Sequence, residues 1–137
     1  MTPIKAKNYI NGEWRNGAQE FESLNPANQR EIVGTAPLST AADVDQAVGA
    51  AKHAYESWRE LSWVKRAEHI DKFAQLIKRD VEEMSRLVTR ESGKPLNEGR
   101  ADVVEALHMA QYVAGMGRMP NGFTISPASR RLSCARL

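Results

Sequence analysis

The apolar positions of this chain follow two different periods. Up to about residue 37 they form short groups between turn residues, which is typical of β-strands. Asn11 and Gly12 separate the groups at 8–10 and 13–15, and this dipeptide favours a two-residue hairpin because both of its positions accept positive φ. Two more strands are predicted at 21–24 and 31–35, with an Asn-Pro turn between them. The pattern predicts a small antiparallel meander.

From Ser39 onward the apolar positions recur at helical spacing. Ser39 or Thr40 can cap a first helix, with Asp43 near its positive end. The apolar face of this helix comprises Val44, Ala47, Val48, Ala51, Tyr55 and Trp58. Because Trp58 ends this face, it is expected to anchor the first helix against the second.

Two more helices follow. The second is predicted from residue 62 to residue 91, with Gly93 placed to end it and Pro95 to prevent its continuation. Its predicted buried stripe comprises Ile70, Phe73, Ile77, Val81, Met84 and Val88. The third is predicted from about 97 to 114, with inward positions Val103, Leu107, Ala110 and Ala114. N-terminal antiparallel hairpins followed by three long helices make an α+β fold.

Composition narrows the class of protein. The chain has 137 residues, 42% of them apolar and 26% charged, which suits one ordinary globular domain. No run approaches the roughly 20 apolar residues of a membrane span, and the N-terminus has no signal-like apolar core. One cysteine, Cys134, excludes an internal disulfide and suits the cytoplasm. Residues 126–137 carry three arginines and no acid against a total charge of +2, so the rest is slightly acidic and no nucleic-acid surface is predicted.

The residues that could suggest a metal or nucleotide site have simpler interpretations. His53, His69 and His108 lie on three predicted helices without metal-ligand spacing, so they are interpreted as half-exposed helix residues. Gly115 and Gly117 follow a helix, whereas a dinucleotide loop precedes one. These glycines are therefore predicted to end the third helix.

Lys94 and Cys134 are the remaining candidates for chemistry. Lys94 lies next to a helix C-terminus, where a cation interacts favourably with exposed carbonyls, so a structural role is predicted. Cys134 lies in a segment without useful periodicity and without a neighbouring base, so it is interpreted as a free thiol and not as a nucleophile.

Several motifs together carry a family resemblance. Residues 90–99 read Arg-Glu-Ser-Gly-Lys-Pro-Leu-Asn-Glu-Gly, residues 25–28 read Asn-Pro-Ala-Asn, and residues 43–48 read Asp-Val-Asp-Gln-Ala-Val. Trp58 and Arg66 follow at matching intervals. From about Asn8 to about Thr124 the chain resembles the N-terminal part of the NAD(P)-dependent aldehyde dehydrogenases. The resemblance implies that this α+β fragment is part of an α/β Rossmann-like fold in the complete family.

The resemblance also implies a reaction, the oxidation of an aldehyde to a carboxylate with NAD or NADP. In the family, the nucleophilic cysteine, the general-base glutamate, the oxyanion-stabilising asparagine and the dinucleotide site lie further along than this chain extends. No catalytic or cofactor-binding residue is therefore assigned here, and the chain is expected to be inactive alone and not to bind the cofactor. Residues 1–124 are interpreted as a truncated cofactor-domain segment, and 125–137 as an aberrant, disordered tail that arose by a frameshift or an early stop.

One family site is carried over. Many members hold a monovalent cation with two main-chain carbonyls before the Asn-Pro turn and with an aspartate at the start of the third helix. The matching positions are Ser23, Leu24 and Asp102, and oxygen ligands of this kind suit alkali ions. The alternative is that Asp102 only stabilises the first turn of the third helix through its charge.

Two other functions stay open at this point. The hairpins and helices could form an independent helical protein-interaction module with its own core. The chain could also be one half of a split enzyme that a separately encoded remainder completes. In either case, apolar helix faces without a partner are expected to promote self-association.

Overall fold

The computed structural model describes residues 2–120, 122–125 and 133–135. Short strands come first, three long helices follow, and two further short strands come last. The strands are β1 (Ile4–Lys5), β2 (Asn8–Ile10), β3 (Glu13–Arg15), β4 (Glu20–Asn25), β5 (Asn28–Pro37), β6 (Phe123–Ile125) and β7 (Ser133–Ala135). The helices are α1 (Ala41–Glu60), α2 (Trp63–Ser92) and α3 (Leu96–Met116). The predicted α+β class is confirmed.

The predicted hairpin is present. Strands β2 and β3 pair antiparallel, with Tyr9 opposite Trp14. Asn11 and Gly12 have φ values of 53° and 83°, the positive values that a two-residue turn of this type requires. The rings of Tyr9 and Trp14 lie 4.7 Å apart between centroids, so the cross-strand pair also stabilises the hairpin.

The remaining N-terminal strands form a separate sheet, so the prediction of a single antiparallel meander was wrong. The strand order in this sheet is β1-β5-β4, with β4 antiparallel and β1 parallel to β5. Strand β1 has only two residues, too few for an alternation of apolar and polar positions to be recognised in the sequence. One side of the sheet contacts α2, and Val33 of β5 is only 3% exposed.

Helices α2 and α3 pack against each other and enclose the main core. Its buried members are Ala74, Ile77, Val103 and Ala110, with Val81, Val88 and Leu107 partly buried beside them. The predicted inward positions of α3 are thus largely confirmed. In α2, however, Phe73 and Met84 are 56% and 36% exposed, whereas Ala74 and Ser85 are buried. The predicted stripe was wrong at these positions because α3 approaches the backbone of α2 closely along a line of small residues.

The predicted helix ends are confirmed. Thr40 caps α1 in a capping box with Asp43, and Ser62 caps α2 through a hydrogen bond from the N–H of Lys65. Gly93 ends α2 in the left-handed conformation, with φ of 71°. Helix α3 begins directly after Pro95.

Helix α1 lies on the outside of the molecule. None of its 20 residues is buried, although its predicted apolar face is intact. Val44 and Tyr55 are each 55% exposed, and Val48 is 61% exposed. Trp58 contacts the ring of His69 on α2, with 5.5 Å between centroids, which agrees with its predicted anchoring role.

The last described residues form a two-stranded ladder. Strand β6 pairs antiparallel with β7, and Thr124 lies opposite Cys134. Of the tail for which disorder was predicted, residue 125 and residues 133–135 therefore lie in strands, while 126–132 and 136–137 fall outside the described residues. None of the described helices is both long enough and apolar enough to span a membrane.

Candidate functional site

The two most distinctive sequence motifs meet in space. The turn at residues 25–28 packs against the end of α2, where Gly93 adopts φ of 71°. A Cβ atom at Gly93 would lie 3.1 Å from the main-chain nitrogen of Ala27 and 3.1 Å from Cβ of Pro26. Glycine is therefore required at this position for two reasons: the backbone has a positive φ, and the turn lies too close to leave room for a Cβ atom.

A polar cluster ties the same two segments together. Arg90 Nε donates to Glu31 Oε1 at 2.6 Å, and Asn25 Nδ2 donates to Glu31 Oε2 at 2.8 Å. Both carboxylate oxygens of Glu31 are thus engaged, and the side chain of Arg90 is only 11% exposed. The hydrogen bond from Asn25, followed by that from Arg90, holds the pKa of Glu31 below its ordinary value. Because the cluster joins β4, β5 and α2, it fixes the sheet against the helix.

Asn25 has a second role within the turn. Its Oδ1 atom accepts a hydrogen bond from the N–H of Ala27 at 2.9 Å, which is the geometry of an Asx turn. One side chain therefore orders the turn through its oxygen and holds Glu31 through its nitrogen. This cluster, defined by Asn25, Glu31, Arg90 and Gly93, is named the turn–helix junction.

The structure places Asp102 beside Lys94. Lys94 Nζ donates to Asp102 Oδ2 at 2.5 Å, so the ammonium group neutralises this carboxylate. Lys94 therefore acts on a side chain rather than on the helix carbonyls to which the sequence assigned it. Helix α3 begins at Leu96, and its first-turn acid is Glu98. Asp102 is the seventh residue of α3 and lies in its second turn, so the alternative interpretation of Asp102 as a first-turn residue was wrong.

Ser23 and Leu24 lie on β4, where the pairing with β5 is irregular. Ser23 is opposite Gly34 and Leu24 is opposite Ile32, with a shift of register between them. No hydrogen bond among the described residues links these two positions to Asp102. Within the same residues, no group of three or more His, Cys, Asp or Glu side chains is placed to hold a metal ion. The cation assignment stays a prediction.

In the described part of the chain, no serine hydroxyl of a helix is hydrogen-bonded to a basic side chain. Ser57, Ser85 and Ser92 each donate to a main-chain carbonyl three or four residues earlier in the same helix. His69 contacts the ring of Trp58. Gly117 caps the end of α3, as predicted, whereas Gly115 lies within the last turn of the helix.

The sequence did not identify the pairing of Glu31 with Arg90. Both residues are hydrophilic, and 59 positions separate them, so no local period relates them. The only available signal was that Arg90 opens the motif at 90–99 and Glu31 follows the Asn-Pro turn. In chemical terms, the turn–helix junction is a charge-assisted structural clamp.

The chain matches known proteins over most of its length. The family model described as "Aldehyde dehydrogenase family" matches residues 14–136. The match extends to residue 136, past Thr124, near which the resemblance was expected to end. A malonate-semialdehyde dehydrogenase of Shouchella clausii is 41% identical over 113 residues, which are 81% of this chain and 23% of that relative.

Solved structures give the same result for the fold. An NAD-dependent aldehyde dehydrogenase of Sinorhizobium meliloti has a TM-score of 0.89 and 28% identity, covering 97% of this chain and 28% of that chain. A betaine aldehyde dehydrogenase of Staphylococcus aureus in complex with NAD+ has a TM-score of 0.83 and 31% identity, covering 90% and 25%. The chain therefore spans about a quarter of the length of the relatives it matches.

Proposed function

Because the chain belongs to the aldehyde dehydrogenase family, we propose that it supplies the N-terminal part of an NAD- or NADP-dependent enzyme that oxidises an aldehyde to a carboxylate. The observation that carries this proposal is the family match over residues 14–136. The name of the Shouchella relative suggests a semialdehyde as the substrate class. The proposed compartment is the cytoplasm, on the basis of the single cysteine.

In this proposal the chain contributes structure and not chemistry. The reaction needs a thiolate to attack the aldehyde, a dinucleotide to accept hydride, and a base to activate water. The family resemblance implies that those groups belong to the three-quarters of the relatives' length that this chain does not span. The chain alone is therefore expected neither to bind the dinucleotide nor to turn over.

A monovalent cation at Ser23, Leu24 and Asp102 is part of the proposal, with Lys94 as its competitor. The ammonium group of Lys94 already neutralises Asp102, which is the only carboxylate among the three proposed ligands. A metal cation therefore fits this site poorly while Lys94 is present. Replacing Lys94 by Met should free Asp102, so that the melting temperature of this variant rises in KCl relative to tetramethylammonium chloride. The same measurement on Asp102→Asn supplies the control, since its melting temperature should be insensitive to K+.

An independent interaction module is the second candidate. The observation that favours it is the exposed apolar face of α1, together with a core between α2 and α3 that the chain forms by itself. Cooperative unfolding of the purified chain and specific binding of another protein would support this function.

The deciding experiment is complementation. The Shouchella relative would be expressed without its matching N-terminal quarter, either alone, with that quarter supplied as a separate chain, or with this chain. Reduction of NAD+ and of NADP+ by malonate semialdehyde would be followed at 340 nm. The proposal predicts activity with this chain and none with either part alone. Activity with the relative's own quarter but not with this chain would contradict it, and dinucleotide reduction by this chain alone would contradict its structural role.

A further inference from the structure

An apolar cleft opens where the three helices meet. It has a volume of about 210 Å³ and is lined by Trp58 of α1 and by residues at the beginning of α2 and the end of α3. Helices α2 and α3 touch here, because a Cβ atom at Gly117 would overlap Cβ of Ala67. Trp63 and Met116 on the walls of the cleft are 57% and 46% exposed. The three helices therefore build a concave apolar surface that the described residues leave open.

Arg66 brings a positive charge to this cleft. Its side chain contributes to the lining, and its guanidinium group lies over the ring of Trp63, 4.8 Å from the centroid. Positions 62, 69 and 70, which lie three or four residues away on α2, hold serine, histidine and isoleucine, so no acidic neighbour on the helix can pair with it. The stack covers the face of the guanidinium but leaves its N–H groups without an acceptor among the described residues.

The other half-buried cations of the described chain are paired. Besides Arg66, three lysine or arginine side chains are half-buried, and each contacts a carboxylate; the pairs are Arg15 with Glu13, Arg90 with Glu31 and Lys94 with Asp102. A half-buried charge without a counter-charge is unfavourable, which is why arginines in such places are normally paired. The residues outside the described part include no aspartate or glutamate. An acidic side chain that pairs with Arg66 therefore has to come from outside this chain.

We infer that the cleft binds an aspartate or glutamate side chain with apolar neighbours, presented by the remainder of the dehydrogenase chain. A carboxylate matches the charge of Arg66 and the fork of its N–H groups, whereas apolar neighbours match the walls formed by Trp63, Val113 and Met116. This inference rests on the proposed function, because it takes the partner from the three-quarters of the relatives' length that this chain does not span.

Two observations favour the remainder as the occupant. Trp58 and Arg66 belong to the motifs on which the family resemblance rests, yet Arg66 has no ion pair within the described chain. The motifs at 25–28 and 90–99, in contrast, have their partners inside the chain, at the turn–helix junction. The Sinorhizobium structure builds the same fold as 28% of a longer chain. A motif residue without an internal partner is therefore expected to contact that longer part.

The size of the cleft favours a protein side chain over a complete small molecule. Pockets for small-molecule ligands usually have volumes of about 300–1,000 Å³, and this cleft has only about 210 Å³. Tryptophan and arginine, which line it, are the residue types that contribute most to protein–protein contacts. The cleft is thus suited to one anchoring carboxylate and a few apolar side chains around it.

The missing counter-charge can be tested in this chain by itself. Val113→Glu places a carboxylate on the wall of the cleft, and Val113→Gln places an uncharged amide of the same shape there. Relative to the Gln variant, the Glu variant should melt at a higher temperature when Arg66 is present than when Arg66→Met is added to both. This comparison cancels the effect of the glutamate on α3 itself. The same difference with and without Arg66 would show that the guanidinium needs no counter-charge, and it would overturn the proposal.

The occupant is tested in the complementing pair. This chain, carrying an affinity tag, is co-expressed with the remaining three-quarters of the Shouchella relative, and the remainder that copurifies is quantified. Arg66→Met and Val113→Glu should each reduce it about tenfold, because the first removes the charge and the second occupies it. Arg86→Met is the matched control, since Arg86 is an α2 arginine that forms no ion pair in the described structure but is exposed. Circular dichroism of each variant verifies that the helices are retained.

The outcomes separate this inference from the proposed function. If the original chain and the Arg66→Met variant retain the remainder equally, the proposed function stands and the contact at Arg66 is overturned. An equal loss with Arg86→Met would overturn it as well. If the relative's own quarter retains the remainder and this chain does not, the proposed function and the occupant both fail. A dimer of the isolated chain that Val113→Glu dissociates in sedimentation would assign the cleft to a second copy instead.

Discussion

Gly99 marks the closest approach of α3 to α2. A Cβ atom at this position would lie 2.6 Å from Thr89 Oγ1, 3.0 Å from the carbonyl oxygen of Ser85 and 3.3 Å from the main-chain nitrogen of Thr89. The first contact is with a side chain, but the other two are with the backbone of α2 and cannot be relieved by a rotamer change. An alanine at 99 must therefore push the two helices apart.

The two opposing effects of Gly99→Ala can be compared. Alanine in place of glycine favours a helix by about 0.5–1 kcal/mol, while overpacking a close contact costs about 1–3 kcal/mol. The contact should dominate, so the free energy of unfolding is expected to fall by about 1–2 kcal/mol. Separation of the helices would also loosen the core around Val103, which is 3% exposed.

Urea denaturation followed by circular dichroism at 222 nm measures this change. Gly115→Ala is the matched control on the same helix, because a Cβ there meets nothing within 4 Å. That variant should be as stable as the original chain or slightly more stable. Adding Thr89→Ala to Gly99→Ala should recover part of the loss, since Thr89 Oγ1 is buried without a hydrogen-bond partner in the described structure. If Gly99→Ala stabilises the chain as Gly115→Ala does, the close crossing is refuted.

Three further predictions concern the junction and the helix ends. Glu31→Gln should flatten the loss of stability on acidification relative to the original chain. The lowered pKa of Glu31 means that its bonds contribute above the ordinary value of 4.5 and are lost as the pH falls through the folded value, which melting curves over a pH series would reveal. Gly93→Ala should cost about 1–2 kcal/mol in urea denaturation because its φ is 71°, with Gly93→Asn costing less. Thr40→Ala should cost about 1 kcal/mol and speed amide exchange in α1, whereas Thr40→Ser should do neither.

The helices and their ends could be predicted because their causes are local. Thr40 and Ser62 accept hydrogen bonds from N–H groups three residues later, and Gly93 tolerates the left-handed conformation next to Pro95. Each signal lies within a few residues of its effect. The hairpin at Asn11 and Gly12 is local in the same way.

The buried face of α2 could not be predicted from periodicity alone. Phe73 and Met84 are apolar at helical spacing, so a single sequence places them inside. The structure instead buries Ala74 and Ser85, because α3 approaches where side chains are small and Gly99 has none. Which of the two neighbouring stripes of α2 is buried depends on the surface of α3 that packs against it, and the sequence of α2 does not contain this information.

The polar contacts of the site show the same limit. Asp102 was identified from its position in a family pattern, but its partner Lys94 was assigned to the helix carbonyls instead. Only the path of the chain between α2 and α3 brings Lys94 Nζ to 2.5 Å from Asp102 Oδ2. The pairing of Glu31 with Arg90 depends in turn on how the sheet docks on α2.

The motifs that reveal the family thus act through geometry in this chain. Arg90, Asn25 and Glu31 clamp the sheet to α2, while Gly93 lets the turn at 25–28 approach the helix end. None of these interactions requires a substrate or a dinucleotide, so they can hold this chain together whether or not it takes part in catalysis. The family match therefore identifies the fold that the chain builds, and activity has to be tested with the remainder of the enzyme present. Because α1 gives no buried side chain to this fragment, it is the element whose stability should depend most on what it pairs with.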